Sequence, residues 1–117
     1  MVKEKISLKN LLSEANPSKK EQLGLFALLN LGIIESLNNG LLSVHDALTT
    51  YFNAENSLFV RQILRDRIAD EIMSRGVQLP DLFDTLSMEE AQREFQRELT
   101  KLRALCLTLL EEKPIAV

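Results

Sequence analysis

The chain has 117 residues, 45% of them apolar and 26% charged, with 14 Lys and Arg against 17 Asp and Glu for a net charge of −3. That suits one domain burying roughly two-thirds of its unfolded surface, and it is too hydrophobic for disorder. Four Gly and three Pro leave too few turns for an all-β layout, and Cys106 as the sole cysteine excludes an intramolecular disulfide or a Cys-based metal cage.

In chain order, a short helix is expected near 6–15, carried by Ile6, Leu8, Leu11, Leu12 and Ala15. Three times a Ser precedes an acid by three residues just ahead of an apolar-periodic run: Ser18–Glu21, Ser43–Asp46 and Ser87–Glu90. Each Ser can accept from an orphan amide of the first turn, and each acid suits the positive end of the helix dipole. Asn38-Asn39-Gly40, Gly76 and Pro114 supply stops. These marks predict main helices over 19–38, 44–53, 57–75 and 88–112, with a further single turn starting at Pro80.

Residues 23–37 are apolar nearly all round, which predicts a central helix covered on most sides, with Gly24 and Gly32 retained for close helix approach. On that reading Leu31→Asp unfolds the domain by burying a charge. In the 57–75 helix Val60, Ile63, Leu64, Ile68 and Ile72 are expected inside, with Arg61, Arg65, Asp66, Asp70 and Glu71 outside. In the last helix Met88, Ala91, Phe95, Leu99, Leu102, Cys106 and Leu109 form the inner stripe. Its outer side alternates a row of Glu89, Arg93, Arg97 and Lys101 with a row of Glu90, Glu94 and Glu98, which support each other through i,i+3 contacts. Leu82 and Phe83 should pack inward, with Asp81 and Asp84 capping the turns around them.

Residues able to carry chemistry are few. His45 is the only histidine, so a two-histidine di-metal bundle has no ligand set, and in a first turn beside Asp46 it reads as a surface side chain. Cys106, within Ala104-Leu105-Cys106-Leu107, reads as a core hydrophobe with a raised pKa. Asp66 and Asp70 stand one turn apart, a spacing that can hold Mg²⁺, but no second acidic helix faces them and Arg61, Arg65 and Arg67 lie close by. Neither GxGxxG nor GxxxxGK[ST] occurs. The expectation is a protein that is not an enzyme and has no cofactor, no metal and no small-molecule ligand.

No stretch reaches the ~18 uninterrupted apolar residues of a membrane span. Met1-Val2-Lys3-Glu4-Lys5 leads into no signal-like apolar run, so the expected location is the cytoplasm. Lys3, Lys5, Lys9, Lys19 and Lys20 fall in the first twenty positions against Glu4 and Glu14, which leaves 9 basic and 15 acidic residues in the rest. An acidic body disfavours nucleic acid and is complementary to a basic protein partner. Asp66, Asp70, Glu90, Glu94 and Glu98 are the candidate partner-binding surface.

The segment Leu29-Asn30-Leu31-Gly32-Ile33-Ile34-Glu35-Ser36-Leu37-Asn38-Asn39-Gly40-Leu41-Leu42-Ser43, with the Ala47 to Phe52 helix and Gly76-Val77-Gln78-Leu79-Pro80-Asp81-Leu82, resembles small bacterial proteins grouped only as a domain of unknown function. The resemblance spans about residues 22–112. It implies a bacterial, cytoplasmic helical protein and transfers no activity and no site.

The expected fold is all-α: a single domain over 1–117, with 1–17 an N-terminal segment carrying the short helix and 18–113 a core built as an irregular orthogonal bundle around 19–38. The expected function is a small non-catalytic protein-interaction or regulatory module, with self-association as a homodimer among its forms. The segment Ala104-Leu105-Cys106-Leu107-Thr108-Leu109-Leu110 holds more apolar surface than one packing seam needs. The alternatives are an immunity-type inhibitor of a basic toxin and, at a distance, a small metal-dependent enzyme.

Overall fold

The computed structural model describes residues 5–15 and 18–112. Among them the chain forms α1 (Leu8–Ala15), α2 (Lys19–Asn38), α3 (Val44–Thr50), α4 (Ala54–Phe59) continuing into a π-helical turn (Val60–Leu64), α5 (Arg67–Gln78), α6 (Asp81–Thr85) and α7 (Met88–Glu112), with no strand. The molecule is an all-α bundle. Pro114, read above as the final stop, lies outside the described residues.

The caps act at single hydrogen bonds. Ser43 Oγ accepts from the Asp46 amide at 3.0 Å, and Ser87 Oγ accepts from the Glu90 amide at 3.3 Å while donating to Glu90 Oε1 at 3.0 Å. Ser18 takes the N-cap position of α2 in extended backbone, but against the expectation its side chain accepts no capping bond from the first turn; its carbonyl accepts from the Gln22 amide at 2.9 Å. At the other end of α2 the Leu41 amide donates to the Ser36 carbonyl (2.9 Å) and the Gly40 amide to the Leu37 carbonyl (3.3 Å). This is the Schellman pattern, and Gly40 supplies the positive φ of 70° that it requires.

Two expected helices come out differently. The helix predicted over 44–53 ends at Thr50, because Tyr51 leaves helical backbone (φ −135°, ψ −57°). The departure drops the Tyr51 and Phe52 rings into the core, edge to face at 4.9 Å between centroids. Asn53 then caps a new helix, its Oδ1 accepting from the Asn56 amide at 3.0 Å, so α4 starts at Ala54.

The helix predicted over 57–75 is broken. Its middle widens into the π turn, where the Arg65 amide reaches back five residues to the Val60 carbonyl at 2.9 Å. Arg65 itself is left-handed (φ 49°), a conformation costing roughly 1–2 kcal/mol for a residue with a Cβ. Its Nε donates to the Gln62 carbonyl at 2.9 Å, which offsets part of that cost. Asp66 is consequently the extended N-cap of α5, accepting from the Ala69 amide at 3.0 Å. The wider turn keeps Val60 and Leu64 on the inner face but swings Ile63 outward to 56% exposure, against the expectation that it is buried.

The largest helix interface is α2 against α7, followed by α5 against α7. Ala91, Phe95, Leu99, Leu102, Cys106 and Leu109 are buried on α7 as the periodicity predicts. Met88, which opens that stripe in sequence, is 71% exposed because it stands at the first turn, beyond the bundle. Leu82 and Phe83 are half-buried against the core, Phe83 edge to face with Phe95 at 5.5 Å.

The glycines exchange roles relative to the expectation. Gly76 does not stop α5, which runs on to Gln78; it is buried, and a Cβ there would collide with the Phe52 ring. Gly32, expected at a close helix approach, faces open space. Gly24 is buried within α2.

Asn56, a buried side chain, makes two of the hydrogen bonds that seat the N-terminal helix. Asn56 accepts from the Leu8 amide through Oδ1 (3.0 Å) and donates through Nδ2 to the Ile6 and Tyr51 carbonyls (2.8 Å each). The Ile6 amide donates to the Thr50 carbonyl at 2.8 Å, and Gln22 Nε2 to the Leu12 carbonyl at 3.1 Å. Leu8 and Leu12 complete the attachment by burial in the core.

Candidate functional site

The two faces of α2 have different fates. Leu23, Phe26, Ala27, Asn30, Ile33, Ile34 and Leu37 are buried. On the other side Leu28 is 52% exposed, Gly32 and Glu35 are exposed, and Leu25, Leu29 and Leu31 are only half-buried. The all-round apolar sequence therefore does not mean an all-round covered helix. Leu31 is a weak probe of the core for the same reason.

The uncovered face forms the floor of a groove of about 660 Å³. Leu25, Leu28, Leu29 and Gly32 of α2 meet Leu11 and Leu12 of α1, with Ile6 and Leu42 at its margins. Leu11 is 49% exposed. The one hydroxyl lining it, Ser36 Oγ, donates to the Gly32 carbonyl at 2.9 Å within the helix. Among the described residues no ionisable side chain lines it. Sites for small molecules of this size carry a few placed polar groups that fix orientation. Among the described residues the groove offers mainly apolar surface, which suits the side chains of another polypeptide better than an oriented small ligand.

The apolar strip continues onto α7. Leu28, Leu31, Gly32, Ile34 and Glu35 of α2 and Arg103 and Leu107 of α7 wall a second depression of about 360 Å³. Of the 104–110 segment that the sequence marks as a surplus, Cys106 and Leu109 are buried, Leu105 and Leu110 half-buried, and Leu107 42% exposed. The exposed apolar side chains of the segment are thus Ala104 and Leu107, and Leu107 adjoins the open face of α2.

The acidic residues singled out in the sequence sit in separate arrangements. Asp66 caps α5 and Glu90 bonds Ser87. Glu94 pairs with Arg97 at 2.8 Å. Glu98 accepts from Arg75 Nη1 at 3.1 and 3.3 Å and lies 3.8 Å from Lys101 Nζ. Arg75 also holds Glu71 at 2.9 Å, and these two carboxylates raise its already high pKa. Asp70 is exposed in the first turn of α5, whereas Arg75 lies in the last. Nine residues from Asp66 to Arg75 correspond to about 13 Å of helix axis, so Asp66 stands apart from the Glu98 pairing.

Residues with reactive potential are placed for packing. Cys106 is fully buried, and desolvation pushes its thiol up to about 12. Burial likewise raises the Tyr51 phenol, partly countered by Asn30. Asn30 Nδ2 bonds the Tyr51 hydroxyl at 2.6 Å and the Phe26 carbonyl at 2.8 Å. His45 is exposed. Among the described residues no three His, Cys, Asp or Glu side chains cluster as a metal site would need, and no helix is long and apolar enough to cross a membrane.

Sequence reasoning missed Asn53 and Asn56, which set the start of α4 and the seat of α1. The signal was available: Asn53-Ala54-Glu55-Asn56 places a strong N-cap residue ahead of Leu58 and Phe59. No family model, no curated protein and no solved structure matches this chain. Its own geometry therefore carries the functional reading.

Proposed function

We propose that this protein is a small non-catalytic, cytoplasmic protein-interaction module whose working surface is the open face of α2. The observation that carries the reading is the groove of about 660 Å³ floored by Leu25, Leu28, Leu29 and Gly32 and walled by Leu11. A contiguous apolar surface of this kind has a free-energy cost in water that a partner's apolar side chains remove. Recognition of an amphipathic helix laid into an apolar groove uses surfaces of this shape, with Leu-type anchors three and four residues apart. The acidic side chains are the weaker docking surface. Glu94 and Glu98 already hold cations of this chain, and a basic partner would have to displace them.

The test is a photo-crosslinking amino acid placed at Leu28 and, separately, at Glu94, with each variant expressed in the native host. A discrete protein adduct from position 28 and none from position 94 is expected. An adduct from position 94 alone, or none from position 28, overturns the proposal in favour of the acidic face or of no docking surface.

A further inference from the structure

The depression between α2 and α7 carries information on its occupant that the larger groove lacks. Its lining is apolar at Leu28, Leu31, Gly32, Ile34 and Leu107, and it holds one acid and one base, Glu35 and Arg103. Each charge stands on a different wall, Glu35 on α2 and Arg103 on α7. Among the described residues neither makes an ion pair, whereas Glu94, Glu98 and Arg75 do. Glu35 keeps one neutral contact, accepting from Asn39 Nδ2 at 3.0 Å. At the centre Gly32 leaves the α2 backbone uncovered, since a Cβ there would meet nothing within 4 Å.

A surface bearing one acid and one base on opposite walls of an apolar trough is complementary to itself. In an isologous interface the same patch faces its own copy, so that each contact from one residue to another is repeated in reverse. A two-fold axis running along the trough exchanges the walls. The α2 wall of one copy then meets the α7 wall of the other, and Glu35 meets Arg103 twice. A strongly basic or acidic partner would satisfy one of these charges and repel the other.

Resting on the reading of the open α2 face as a docking surface, with which this depression shares Leu28 and Gly32, we infer that the occupant of the depression is a second copy of this chain. The α2 wall of each copy packs against the α7 wall of the other over the opening left at Gly32, with Leu28 and Leu31 of one copy meeting Leu107 of the other and reciprocal Glu35–Arg103 pairs beside them. Charge complementarity of this kind sets register and partner choice more than total affinity.

Sedimentation velocity from low micromolar to several hundred micromolar tests the inference on the wild type, Glu35→Arg, Arg103→Glu and the double exchange. Each variant is first matched to the wild type in far-ultraviolet circular dichroism. A concentration-dependent dimer is expected. Each single reversal creates two like-charge contacts and should weaken it roughly tenfold or more, while the double exchange restores it. A wild type monomeric throughout, a dimer indifferent to both reversals, or a double exchange no tighter than the singles overturns the inference. A Leu28 crosslink of foreign mass together with a monomeric chain keeps the docking surface and removes the second copy from it.

Discussion

At Gly76 the Phe52 ring fills the space where a Cβ would stand, and Phe52 is itself buried. Neither group has room to yield, since the ring is rigid and the contact is to its body. Gly76→Ala should therefore destabilise the protein by about 1–3 kcal/mol, against the usual gain when Ala replaces a helical Gly. Denaturant unfolding measures it, and a variant as stable as the wild type would refute the contact. Cys106 gives a second prediction at this scale. Its folded pKa is raised to about 12 from an ordinary value of 9.0, so below pH 9 both folded and unfolded chains carry the thiol. As pH rises from 9 toward 12 the unfolded chain loses the proton first, and stability falls across that window. Tyr51 adds to the slope above its ordinary 10.0. Cys106→Ala should flatten the alkaline fall in melting temperature, and a slope identical to the wild type would contradict the assignment.

Among the elements, α1 is the most dependent on a single side chain. Asn56 bonds the backbone on both sides of Ser7, so Asn56→Ala leaves the Leu8 amide and the Ile6 and Tyr51 carbonyls without these partners. Each unsatisfied buried group costs about 1–3 kcal/mol, a large share of ordinary domain stability. The expected result is faster amide hydrogen exchange in α1 with α7 remaining protected. Unchanged exchange in α1 would show that Leu8 and Leu12 alone hold it. The α4–α5 region shows why helix patterning did not locate its break. Val60, Leu64 and Ile72 follow helical spacing on either side of Arg65, and the π turn shifts the phase without interrupting the inner face. Nothing in Arg65-Asp66 is a glycine or proline. Asp66 was legible as a capping residue type, yet in the sequence it sits equally well one turn before Asp70 on a continuous helix.

For the molecule as a whole, the two sides of α2 provide the deciding contrast. Phe26 is fully buried, and Leu28, two residues on, is half exposed. Phe26→Asp should abolish folding at ordinary temperature through loss of its burial, about 1.5–3 kcal/mol, and the larger penalty of an uncompensated buried charge. Leu28→Asp should shift the melting temperature by only a few degrees; thermal denaturation followed by circular dichroism checks both. Equal effects would mean that the open face is covered in the folded monomer. The sequence by itself determined the all-α class, the Ser43 and Ser87 caps, the Gly40 turn and the buried stripe of α7, because hydrogen-bond closure at a helix end and 3.6-residue periodicity are local properties. Only the tertiary structure decided which glycine is packed against, which of the apolar sides of α2 is left open, and which acids are already paired. Those outcomes depend on what arrives opposite a residue from distant chain: the Phe52 ring over Gly76, Arg75 beside Glu98, and α1 reaching only partway across α2. A helix that is apolar on every side records that burial is possible everywhere, and the neighbours it receives select where burial occurs.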